Sequence, residues 1–104
     1  MNYRVRPAAR RDIIRYWKII NADNPDAAAR FLDCVEKAIE QIGSHPALLG
    51  HEMGFRHHAG VRSFRLPPPF DRYLIFFRLH PRHVEFKRLL HGARHLPRLF
   101  PPRS

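Results

Sequence analysis

Cysteine is nearly absent from this 104-residue chain. Cys34 stands alone, so no internal disulfide can form, and a reducing compartment, the cytoplasm, is the expected location. Long apolar runs are missing as well. Nothing approaches the roughly 18 residues needed to cross a bilayer, and Met1–Arg6 lacks the apolar core of a secretory leader. Neither membrane insertion nor export is therefore expected. Zinc spacing is also lacking: His51, Glu52, His57 and His58 cluster without neighbouring cysteines, and no metal or cofactor is expected. No phosphate-cradling glycine motif and no Ser/His/Asp arrangement stands out. Cys34 lies at the edge of a helical apolar stripe and reads as a packed thiol.

Acidic residues are scarce too. Nineteen Lys and Arg face nine Asp and Glu, for a net charge of +10. The surplus is uneven: residues 1–50 carry a balance of +2 and residues 51–104 a balance of +8, with seven of the eight histidines also in the second half. Such a field attracts nucleic acid, a protein that handles it, or an acidic peptide. With 44% hydrophobic and 12% aromatic residues the chain is not disordered. Its length fits one domain over residues 1–100 with a short tail, 101–104.

The apolar spacing predicts the elements. Tyr3 and Val5 alternate with Asn2, Arg4 and Arg6, which reads as a strand ended by Pro7. From Ala8 to about Ile20, the residues Ala9, Ile13, Tyr16, Trp17 and Ile20 recur at helical steps, and Arg10, Arg11, Asp12, Arg15 and Lys18 fill the polar positions. Asn21–Pro25 breaks the pattern, with Asn24 as N-cap, Pro25 at the first helical position and Asp26 at the positive helix end. A second helix runs to about Ile42, where Gly43 is expected to stop it. The two helices should form an antiparallel hairpin.

Residues 43–60 read as a loop of some eighteen residues rich in glycine, long enough to suggest a function. Strand character returns at Val61–Leu66, stops at Pro67-Pro68-Pro69, resumes at Arg72–Leu79 and returns again at His83–Leu90. Tyr73-Leu74-Ile75-Phe76-Phe77 has no polar break, as in a central strand covered on both faces. The predicted fold is α+β, in the order β-α-α-β-β-β, with the hairpin on one face of a small, mostly antiparallel sheet. One helical layer covers one face. The second face needs another cover, and Leu96, Leu99 and Phe100 of the tail or a partner peptide are the candidates.

Three segments carry a resemblance. Asn24-Pro25-Asp26-Ala27-Ala28-Ala29-Arg30-Phe31 resembles the start of the second helix in ParE-like toxins, and Arg72-Tyr73-Leu74-Ile75-Phe76-Phe77-Arg78 their central strand. Arg88-Leu89-Leu90-His91-Gly92-Ala93-Arg94-His95-Leu96-Pro97 is similar to their terminus and is the most specific of the three. The chain thus resembles the ParE/RelE toxin superfamily, closer to ParE, over Tyr3 to Phe100.

That resemblance implies a basic toxin of a type II toxin–antitoxin system, of the kind associated with growth inhibition and plasmid stabilisation. Two targets are open. ParE-like members bind DNA gyrase without chemistry of their own, whereas RelE-like members are metal-free ribonucleases acting on mRNA in the ribosome. A degenerate, non-toxic member is a third reading. The nuclease reading draws on Arg65, Lys87, His91 and Arg94, with Arg62, Arg88 and His95 nearby. Against it, Phe100 falls where the terminal tyrosine of RelE-like enzymes would lie and has no proton to exchange, and Tyr73 falls where they place an arginine. The gyrase reading draws on Arg62, Arg65, Arg78, Lys87, Arg88, Arg94 and Arg98 as target contacts. The resemblance further implies a cognate antitoxin, small and carrying a ribbon-helix-helix DNA-binding half, in a hetero-oligomer with the toxin. Trp17, Phe31, Tyr73 and Phe77 are its candidate contacts.

Overall fold

In the computed structural model, residues 2–46 and 60–92 are described in full and 51–52 as backbone. The chain runs β1 (Asn2–Val5), α1 (Pro7–Asp23), α2 (Pro25–Ser44), β2 (His51–Glu52), β3 (Val61–Arg65), β4 (Tyr73–Leu79) and β5 (His83–His91). The strands form one sheet in the order β1-β5-β4-β3-β2, with β1 parallel to β5 and every other pair antiparallel. The α+β class, the helical hairpin and the β3-β4-β5 meander are as expected. The region read as an open loop contains an extra two-residue strand, because His51 and Glu52 pair with Ser63 and Arg62.

The link between the helices is tighter than the sequence pattern implies. α1 continues past Ile20 to Asp23, and Asn24 alone joins the helices. With extended backbone (φ −151°, ψ 97°), Asn24 ends one helix and starts the next. Its N–H donates to Ile20 O at 2.7 Å, and its side-chain oxygen accepts from Ala27 N–H at 3.1 Å. Gly43 does not stop α2, which ends one residue later at Ser44. Gly43 is buried against the Tyr3 ring, and a Cβ there would lie 3.1 Å from Tyr3 Cδ1. The glycine therefore lets β1 approach α2 closely.

The sheet has two apolar faces. On the hairpin side, Phe31, Val35, Ala38 and Ile42 of α2 and Tyr16 of α1 pack against Ile75, Phe77, Val84, Phe86 and Leu89. On the other side Val61, Phe76 and Leu90 form a second buried cluster with Leu74 against it. Alternation along β4 produces the split: Tyr73, Ile75 and Phe77 look to the helices, and Leu74 and Phe76 look away. The central strand is thus buried on both faces, as its unbroken apolar run implies. The tail suggested as cover for the second face lies outside the described residues.

Phe77 is fully enclosed, its ring 6.1 Å from that of Phe86. Phe77→Ala should destabilise the fold by about 3–5 kcal/mol, from lost transfer energy plus the cavity left behind. Chemical denaturation checks this. A loss below about 1 kcal/mol would mean that the site collapses around the smaller residue or is not the core.

Candidate partner-binding surface

The surface is organised around β5, which is longer than its neighbour β1. β1 pairs with His83 to Phe86, and the last bond of the pair runs from Arg6 N–H to Phe86 O at 2.9 Å. Beyond that point α1 takes over the free edge. Asp12 Oδ2 accepts Leu89 N–H at 3.0 Å, and Tyr16 Oη accepts His91 N–H at 3.2 Å. The spacings match: four residues of helix rise about 6 Å, and two of strand span about 6.8 Å. Two helical side chains thereby stand in for the missing strand and cover the edge.

Asp12 also receives the fork of Arg88, with Nε at 2.7 Å from Oδ2 and Nη2 at 3.0 Å from Oδ1. Among the described residues Asp12 is the buried charged side chain, 7% exposed, so this pair of hydrogen bonds balances a charge removed from water. The bond to Asp12, joined by Coulombic attraction to Asp12 and Tyr16, raises the Arg88 pKa further, and the guanidinium stays charged. Sequence periodicity places Asp12 among the solvated positions, and the structure corrects this. Its spacing of three from Ala9 and four from Tyr16 puts it on the buried stripe, and that was the available signal.

The pairing of β4 with β5 shifts here. Phe76 faces Arg88 while Phe77 faces Phe86, leaving Lys87 as the extra residue of a bulge. Lys87 Nζ lies 3.7 Å from Glu85 Oε1, which also meets His80 Nε2 at 3.1 Å, while Glu85 Oε2 meets Arg6 Nε at 3.5 Å. Arg4 and Arg78 are the cross-strand neighbours of Glu85. The hydrogen bond from His80, with Lys87, His80 and Arg6 nearby, pulls the Glu85 carboxyl below its ordinary range. The His80 ring stacks on His83, with centroids 4.5 Å apart.

The target candidates fall in different places. Cross-strand register puts Arg65 and Arg78 on the face away from the helices, and Lys87 reaches Glu85 there. Arg65 also donates from Nη1 to Asp71 O at 2.6 Å. Arg62 pairs with Phe77 and belongs to the helix-side register, and Arg88 is engaged by Asp12. Arg94, Arg98 and His95 lie outside the described residues, as do His57, His58 and the side chains of His51 and Glu52.

Of the nuclease candidates, those among the described residues do not share one face of the sheet. His91 pairs with Tyr73 on the helix side, its ring 5.3 Å from the tyrosine ring, whereas Arg65 belongs to the opposite face. Lys87 sits four residues back along β5, on the order of 13 Å away at strand rise. Of the antitoxin candidates, Phe31 and Phe77 are wholly buried and offer no surface. Tyr73 is half-buried with its ring against Tyr16 and Phe31, and Trp17 is half-buried against the core. Tyr3 and Leu79 are exposed on the sheet, and on α1 Ile14 and Ile19, 48% and 51% exposed, line a groove with Arg11, Arg15 and Lys18. Burial, then the Asp33 carboxylate, pushes the Cys34 thiol up, which makes it a poor nucleophile. No helix among the described residues is long and apolar enough to cross a membrane.

A helical hairpin on one face of a five-stranded mixed sheet defines a small basic α+β domain. In fold the chain is similar to one from the chromosomal ParDE toxin–antitoxin system of P. aeruginosa, with TM-score 0.73 and 15% identity over 88% of this chain and 95% of that one. No curated protein matches it. The model of the ParE toxins of type II toxin–antitoxin (parDE) systems matches residues 3–96, and the chain belongs to that family.

The Glu85 contacts carry a pH signature. A carboxyl whose folded pKa is lowered contributes stability above its unfolded value, near 4.5, and loses it as pH falls through the lowered folded value. Wild type should therefore exceed Glu85→Gln in stability at pH 6–7, and the gap should shrink below about pH 4.5. Thermal unfolding of both proteins from pH 3 to 7 measures it, and a gap that ignores pH would show that the Glu85 charge contributes nothing.

Proposed function

We propose that this chain is a toxin that inhibits DNA gyrase by binding it, acts in the cytoplasm, and is neutralised by a cognate antitoxin in a hetero-oligomer. Membership of the ParE toxin family supports the toxin role and, through the paired nature of such systems, the antitoxin. The observation that favours inhibition over RNA cleavage is the scatter of the described nuclease candidates. Cleavage needs groups for the 2′-hydroxyl, the phosphorane and the leaving oxygen within bonding reach of one phosphate. His91 on the helix side and Arg65 and Lys87 on the other face speak against a shared phosphate, whereas a binding surface needs only charge and shape.

Arg65, Arg78 and Lys87, with Arg94 and Arg98 of the tail, supply the attraction to the target. The antitoxin combines acidic charge with apolar anchors, and its natural seat is the exposed stripe of α1, where Ile14 and Ile19 lie among Arg11, Arg15 and Lys18. A small ribbon-helix-helix protein is the expected partner. Maintenance of a plasmid or another linked element is the expected consequence.

Supercoiling by purified gyrase tests the reading. Activity should fall as toxin is added in excess and return when antitoxin is added after it. Undiminished supercoiling, together with codon-positioned cuts in mRNA after induction, would replace inhibition with ribosome-dependent cleavage. Arg94→Ala should lower toxicity more than it lowers antitoxin binding, and equal loss of both would reassign Arg94 to folding.

A further inference from the structure

Where β1 hands over to α1, a second groove of about 420 Å3 is lined by Arg6, Pro7, Ala8, Arg11, Lys87 and Arg88. Four of the six are cations, from two stretches of the sequence, 6–11 and 87–88. Two acids answer them: Asp12 holds Arg88 tightly, and Glu85 meets Arg6 and Lys87 at 3.5 and 3.7 Å. Arg6 is 59% and Lys87 38% exposed, so these two contacts are long and open to water and exchange readily for a stronger anion. Arg11 has no acidic partner among the described residues. The first turn of α1 holds no acid, and its field adds positive potential to the groove.

We propose that this groove binds the phosphodiester backbone of a nucleic acid. Charge and shape select that occupant. Guanidinium forks suit phosphate oxygens, and a run of evenly spaced negative charges satisfies several cations at once. An acidic peptide also needs apolar anchor points, and this groove offers only Pro7 and Ala8. The exposed isoleucines lie farther along α1, in the other groove. The inference goes beyond gyrase inhibition and does not depend on it, because direct contact with nucleic acid is measured without gyrase.

Fluorescence anisotropy of a labelled 20-base-pair DNA duplex, titrated with the full chain at several salt concentrations, tests it. Arg11→Ala and Lys87→Ala should each weaken binding about three- to tenfold and each lower the salt slope by about one. Arg30→Ala removes the same charge from the exposed side of α2 and should change affinity less than twofold. All three substitutions leave the core untouched, and a thermal melt confirms the fold. Equal losses from Arg30→Ala and Arg11→Ala would reduce the effect to bulk charge and overturn the proposal. So would poly-glutamate binding more tightly than DNA with the same dependence on Arg11 and Lys87, and so would absence of duplex binding by wild type at low salt.

Discussion

A helix completes the sheet of this protein. β1 is too short to cover β5, and the strand runs on past it with backbone donors that must find acceptors. Asp12 and Tyr16 provide them for Leu89 and His91, and the same Asp12 carboxylate takes both arms of the Arg88 fork. An unpaired buried donor costs about 1–3 kcal/mol, and more when a charge is involved. The junction therefore fixes how α1 lies on the sheet, and through Asn24 it constrains α2 as well.

The charged surface inherits its geometry from that junction. The bulge at Lys87 lies between the part of β5 held by β1 and the part held by α1, so the strand changes partner where it gains a residue. Arg88 turns to Asp12, and Lys87 reaches Glu85. Two neighbouring cations thus have different duties, one within the fold and one at the surface. A basic stretch in the sequence does not separate the two. Glu85 moderates the patch: lying beside both Arg6 and Lys87, its carboxylate offsets the repulsion between those two cations.

Much of the fold was legible because it arises from periodicity. The helical stripes, the Asn24-Pro25 start, the proline interruption after β3 and the unbroken apolar run of β4 each have a local cause, and each appears where expected. What escaped the sequence depends on contacts between distant residues. Gly43 has the sequence context of a helix stop and instead admits the Tyr3 ring. Asp12 sits among arginines in the sequence, as a solvated residue would, and its partners lie 76 and 77 residues away. For the candidate surface, the cationic residue types were readable but their faces were not. The one-residue bulge reverses the facing of the strand residues beyond it, and no local pattern around Lys87 announces it.

Asp12 and Arg88 act as a coupled pair joining α1 to β5. A double-mutant cycle by chemical denaturation, using Asp12→Ala, Arg88→Ala and the combined variant, measures that coupling directly. The expected coupling free energy is about 1.5–3 kcal/mol, with the double variant less destabilised than the sum of the singles. Additivity within about 0.5 kcal/mol would contradict it, since independent residues cannot be what holds the helix to the strand.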